Sequence, residues 1–138
     1  MESKIFLISH GDFAQGLHNT LEMIAGHQPN LFSFGLKGDV TTKIIIEEIK
    51  KEIKTEDFAI ILGDLAGGSV CNEAVSLLSN ENCILVGGIN LPLLIELVLS
   101  KASTPEEVKN AIESSRLEIK QIENPAVCEE DDLSEFLG

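Results

Sequence analysis

Basic residues are scarce in this sequence. Arg116 is the only arginine, and ten Lys and Arg face 23 Asp and Glu, for a formal net charge of −13. Nucleic-acid affinity rests on clustered Lys and Arg, so this balance argues against a nucleic-acid partner. Long apolar runs are missing too: none reaches the roughly 18 residues that suggest a membrane span. The opening "MESKIF" has no basic region followed by a long apolar core and a small-residue cleavage site, so no signal peptide is expected. Cysteine is sparse and odd in number. Cys71, Cys83 and Cys128 form no CxxC, and no histidine stands at metal-ligand spacing from them. Reduced thiols in a cytosolic protein are the simple expectation, with Cys71 and Cys83 packing as small hydrophobes.

Five of the acids (Glu129, Glu130, Asp131, Asp132 and Glu135) lie in the last ten residues, yet the remainder still carries −8. A solubilising acidic surface explains this more simply than a dedicated basic partner. Hydrophobic residues make up 43% of the 138, enough for one domain with a sizeable core.

The pattern alternates strand and helix, without internal repeats or a low-complexity linker. Ile5–Ser9 is a short apolar run with β-branched residues, as expected of a strand buried on both faces. Asp12–Ala25 places Phe13, Leu17, Leu21 and Ile24 at helical spacing, with Gly26 at its end. "LFSFGL" reads as a second strand. Thr41–Lys54 reads as a helix with Ile45, Ile46, Ile49 and Ile53 on one side. "DFAIILG", from Asp57 to Gly63, is a third strand, followed by a helix from Val70 to about Ser79. "CILVGG" is a fourth strand, and Leu91–Lys101 a helix with Pro92 in its first turn. Thr104-Pro105-Glu106-Glu107 is a strong helix start, combining a capping Thr, Pro at the first helical position and Glu three after the cap. That helix should end near Ser115. "LEIKQI" alternates apolar and charged residues and reads as a half-exposed edge strand. Such alternation predicts an α/β domain, with one doubly wound, mostly parallel sheet between helices on both faces.

Ligands of open α/β sheets sit beyond the C-terminal strand ends. Strand 1 ends at Ser9-His10-Gly11. Strand 3 ends at Asp64 and feeds Gly67-Gly68-Ser69. Strand 4 ends at Gly87-Gly88, with Asn90 beyond. A neutral imidazole attacks phosphorus well when one nitrogen is free and the other keeps its proton. A carboxylate accepting that N–H fixes the tautomer and stabilises the cationic ring that forms, and Asp64 is the natural candidate. Gly-Gly-Ser opening a helix offers unpaired amides and a hydroxyl to an oxyanion. Each residue also has a plain structural reading: His10 or Asp64 as a cap, Gly-Gly-Ser as common loop chemistry, Asp12 as a first-turn acid favoured by the helix dipole, His18 and His27 as solvated side chains. Their convergence on one edge favours chemistry.

"SHGDFAQGL" (Ser9–Leu17) resembles the HGxxAxG signature of the enzyme IIA component of the mannose family in the bacterial phosphoenolpyruvate-dependent sugar phosphotransferase system. "ILGDLAGGSVCNEA" (Ile61–Ala74) is similar to that family's aspartate followed by GGSPxNxA. "VGGINLPLLIE" (Val86–Glu96) resembles its glycine-rich turn with N-x-P. Order and spacing agree over residues 3–122. The resemblance implies a cytoplasmic phosphoryl relay without metal or cofactor. His10 would accept phosphate on Nε2 from the carrier protein HPr and pass it to a histidine of a IIB protein, which serves the membrane permease components. Asp64 would pair with the Nδ1 proton of His10, and Ser69 with nearby backbone amides (Gly67, Gly68) would hold phosphate oxygens. It also implies a homodimer and an antiparallel edge strand near the C-terminus, for which "LEIKQI" is the candidate. Val70 stands where the family has proline, and Leu65-Ala66 where it often has a larger or hydroxyl-bearing pair. Phe13 and Leu65 are candidate docking surface for HPr, although core packing explains Phe13 equally well. Residues 1–124 are expected to form the IIA-like domain and 125–138 an acidic, mobile tail, with IIB as a separate chain. Two related readings stay open: the phosphocarrier subunit of a dihydroxyacetone kinase, and a regulatory protein phosphorylated only as a signal. An "RHG" phosphatase or mutase is disfavoured, because Ser9 replaces its arginine and Arg116 alone cannot form an arginine cluster.

Overall fold

A parallel strand covered on both faces needs apolar side chains at successive positions, not alternate ones. Ile5–Ile8 supplies them at the centre of β1 (Ser3–His10) in the computed structural model, which describes residues 3–127. Six further elements follow in alternation: α1 (Phe13–Ala25), β2 (Leu31–Leu36), α2 (Thr42–Glu52), β3 (Phe58–Gly63), α3 (Ser69–Ala74) and β4 (Cys83–Val86). Two helices, α4 (Leu91–Ser100) and α5 (Pro105–Arg116), follow, and a 3₁₀ turn over Pro125–Val127 ends the described order.

The sheet is parallel throughout, in the order β2-β1-β3-β4. Strand β1 therefore lies between β2 and β3, and the chain leaves it in one direction and returns on its other side. This is the topological switch point, where the loops beyond the two strands part and leave a crevice. Ile8 pairs with Gly63 and His10 with Leu36, so the ends of β1, β2 and β3 reach one edge together.

Alternate side chains of β1 serve the two cores. Ile5 and Leu7 pack with Ala14 and Leu21 of α1 and with Leu94, Leu97, Val108 and Ala111 of α4 and α5. Phe6 and Ile8 pack with Ile45, Ile46 and Ile49 of α2 and Val70 and Ala74 of α3. At the far end of the sheet the buried Lys4 ammonium donates to the Glu52 carbonyl and pairs with Asp57, each at 2.8 Å. Hydrogen bonds from Lys4 and from the Lys54 amide hold the Asp57 pKa below the ordinary carboxylate range against the opposing effect of burial.

Three expectations are corrected. Phe13 and Ile24 do not join the α1 core stripe: they are exposed, and Ala14 and Leu21 are buried, because the smaller Ala14 lets the helix approach the sheet. The helix expected to Ser79 tightens into a 3₁₀ turn over Val75–Ser79, where the Ser76 and Ser79 hydroxyls bond carbonyls three residues back. The edge strand expected at "LEIKQI" is absent: α5 ends in a turn, and Leu117–Ile122 runs on as exposed coil. An alternating segment becomes a strand only beside a neighbour that completes its hydrogen bonds, and among the described residues it has none. Cys128 and most of the acidic tail lie outside the described residues.

Candidate active site

His10 is the last residue of β1, and Asp64 is the first after β3. The register of these adjacent strands brings them together. His10 Nδ1 lies 2.8 Å from Asp64 Oδ2, and the same oxygen accepts from the His10 amide at 2.9 Å. The Leu65 amide donates to Asp64 Oδ1, also at 2.9 Å. Burial works to raise the Asp64 pKa, but the His10 amide and ring and the Leu65 amide outweigh it and hold the carboxyl below its ordinary range. An ionised Asp64 can only accept. Nδ1 of His10 therefore carries a proton, and in the neutral ring this leaves the lone pair on Nε2.

The His10 side chain is 53% exposed, against 14% for Asp64. A fixed carboxylate thus orients a ring whose outer part faces solvent. Helix capping is not the role of His10. The buried Ser9 hydroxyl accepts from the Ala14 amide at 2.7 Å and supports the start of α1. Asp12 occupies the N-cap position but makes no side-chain cap bond; it forms an ion pair with Lys37 instead.

Two glycines hold the loops in place: Gly35, which no motif marks, and Gly87 of the glycine-rich turn after β4. A Cβ on Gly35 of β2 would sit 2.1 Å from the Gly11 carbonyl, so only glycine lets β2 pass the turn after His10. A Cβ on Gly87 would come within 2.3 Å of Ala66 Cα, so the turn after β4 abuts the loop after Asp64. The Ile89 amide reinforces this contact, donating to the Gly63 carbonyl at 3.1 Å. Gly68 stands at the N-cap of α3 without a side-chain cap bond. Ser69 is the first helical residue and is exposed, as is Gly67. Amides in a first helical turn lack intrahelical acceptors.

Residues 4–114 match the model of the EIIA-man family, described as "PTS system fructose IIA component". The chain belongs to this family, the mannose-type IIA components of the sugar phosphotransferase system. It is 30% identical over 98 residues to the fructose-specific EIIA component of Bacillus subtilis, covering 68% of this chain and 67% of that one. It is 27% identical over 129 residues to the mannose-specific EIIAB component of Escherichia coli, covering 88% of this chain but only 40% of that relative. The crystal structure of phosphotransferase system component EIIA from Streptococcus agalactiae superposes with a TM-score of 0.75 at 26% identity, covering 91% of this chain and 99% of that one.

Within this IIA chain, Cys71 packs behind the site. Its buried Sγ would lie 2.2 Å from a Cβ on Gly63, and burial with the nearby Asp64 charge raises its pKa, so it stays a neutral packing group. The expectation that His18 is solvated is corrected. Its Nδ1 lies 2.8 Å from the Ser33 hydroxyl and its Nε2 3.6 Å from Glu22. His27 is 81% exposed and also reaches Glu22, at 2.9 Å. No helix among the described residues is long and apolar enough to cross a membrane.

Proposed function

We propose that this protein is a cytoplasmic phosphohistidine carrier that takes a phosphoryl group from HPr on His10 and passes it to a IIB protein. The observation that carries this reading is the Nδ1 contact of His10 with an ionised Asp64, which leaves Nε2 as the nucleophile. In the transfer, the Nε2 lone pair attacks phosphorus. The bond between phosphorus and the donor imidazole breaks, and its electron pair returns to that ring. The Nδ1 proton stays in place, where Asp64 offsets the cationic charge that His10 acquires. Ser69 and the backbone amides of Gly67 and Gly68 are the groups we assign to the phosphoryl oxygens, the Gly68 amide also donating to the Leu65 carbonyl at 3.1 Å. Because both donor and acceptor are imidazoles, alignment and charge stabilisation are the protein's main contributions.

A donor that is itself a protein suits an exposed histidine. Phe13 and Leu65, exposed at 51% and 60% beside His10 and Asp64, offer apolar surface for it to dock on. We further propose a homodimer in which Leu117–Ile122 finds its missing strand partner. Leu117, Ile119 and Ile122 are 75%, 82% and 81% exposed, which is unusual for alternating apolar residues unless they are covered in an assembly.

The test is incubation with phosphoenolpyruvate, enzyme I and HPr, with mass-spectrometric mapping of any label. An acid-labile phosphate on His10 that is absent from His10→Ala and discharges onto a IIB protein is expected. Folded protein left unlabelled by competent HPr would overturn the proposal.

A further inference from the structure

The ion pair between Asp12 and Lys37 joins the two chain segments that lead away from His10 and from its register partner Leu36. Asp12 follows His10 by two residues, and Lys37 follows Leu36, the register partner of His10 on the adjacent strand. The Gly11 amide donates to the Leu36 carbonyl at 2.9 Å and fastens the two chain segments together just there. Adjacent strands lie about 4.8 Å apart, so the long stem of Lys37 starts one residue and one strand spacing away from the histidine. The Asp12 carboxylate makes no cap hydrogen bond at the helix start, where the Ser9 hydroxyl accepts from Ala14 instead.

Both members of the pair are largely solvent-exposed, at 65% for Lys37 and 75% for Asp12. Such a pair contributes little to stability and is cheaply broken. A phosphoryl group on His10 would bring up to two negative charges into surroundings that already hold Asp12 and Asp64, on a chain of net charge −13. A dianion attracts an ammonium more strongly than one solvated carboxylate does.

We propose that Lys37 is a phosphate ligand held in reserve by Asp12: when His10 is loaded, its ammonium leaves Asp12 for the phosphoryl oxygens. This rests on the phosphocarrier reading and deepens it. Lys37 stabilises the loaded state, and Asp12 weakens that stabilisation by competing for the ammonium, so the pair sets how far the phosphoryl group is drawn from the donor. The exchange transfers no proton and makes no covalent bond.

The test is a double-mutant cycle on the phosphoryl-exchange equilibrium with HPr, using Lys37→Met, Asp12→Asn and the double variant. Lys37→Met should lower the ratio of phosphorylated protein to phosphorylated HPr about fivefold, and Asp12→Asn should raise it about fivefold. In the Lys37→Met background, Asp12→Asn should raise it by no more than about twofold. Lys37→Arg should restore most of the wild-type ratio. Equal gains from Asp12→Asn in both backgrounds would overturn the proposal, because Asp12 would then act by its own charge. A labelled wild type with Lys37→Met unchanged would also overturn it while leaving the carrier reading intact. An unlabelled wild type would instead bring down the carrier reading itself.

Discussion

Asp64 is the residue on which the account turns, because it fixes the His10 tautomer through its carboxylate and the strand ends through the two amides it accepts. Asp64→Asn keeps the shape but removes the charge, and its amide can satisfy the ring in either tautomer. Transfer from HPr should slow on the order of 100-fold in rapid-quench kinetics. A triad in which histidine must also take up a proton loses about 10⁴-fold from the same change. Ser69→Ala should cost only about three- to fivefold, with an unchanged melting temperature, because its exposed hydroxyl makes no helix cap. Acid titration supplies a further check. The folded pKa values of Asp64 and Asp57 are both held below the ordinary carboxylate range. The stability they confer is therefore complete above that range and is lost as pH falls through the depressed values. Chemical denaturation across acid pH should show a shallower loss for Asp64→Asn than for the wild type. Asp57→Asn leaves the buried Lys4 ammonium without its counter-ion, and about 3 kcal/mol of stability should be lost at neutral pH.

The site depends on how elements approach one another as much as on its polar residues. Gly35→Ala should force β2 away from the Gly11 carbonyl and spread the His10 turn. The expected outcome is a folded protein whose His10–Asp64 hydrogen bond, followed by the downfield Nδ1 proton in NMR, is weakened or lost. At this scale sequence and structure also diverge in instructive ways. The central strands β1 and β3 were legible because parallel strands buried on both faces leave short apolar runs that no amphipathic helix produces. His10 and Asp64 were legible because each terminates such a run, so the topology alone places them on one edge. The Gly35–Gly11 contact was not legible, since nothing local to "LFSFGL" says which turn will cross it. Asp12 reads locally as a helix-dipole acid, yet its partner Lys37 lies 25 residues away. His18 reads as a surface residue until β2 brings Ser33 against it.

For the whole molecule, the exposed segment Leu117–Ile122, without a strand neighbour among the described residues, carries the quaternary proposal. Alternation alone suggests a strand here, and the structure shows exposed turn and coil instead, because a strand also requires a neighbour for its hydrogen bonds. Sedimentation equilibrium should give a dimer mass for the wild type and a monomer for Ile119→Asp with Ile122→Asp, while phosphorylation of His10 persists at a reduced rate. A monomeric wild type would remove the dimer and leave the site untouched, because His10, Asp64 and Ser69 all come from one chain.

The most direct test of the central claim is NMR of the histidine ring nitrogens, with ¹⁵N-labelled histidine, before and after phosphorylation by HPr. The account predicts that free His10 carries its proton on Nδ1 and that the phosphorylated form shows nitrogen–phosphorus coupling at Nε2, with Nδ1 still protonated. Phosphate on Nδ1, or a free ring protonated on Nε2, would contradict it, because Asp64 would then not be the group that orients the nucleophile.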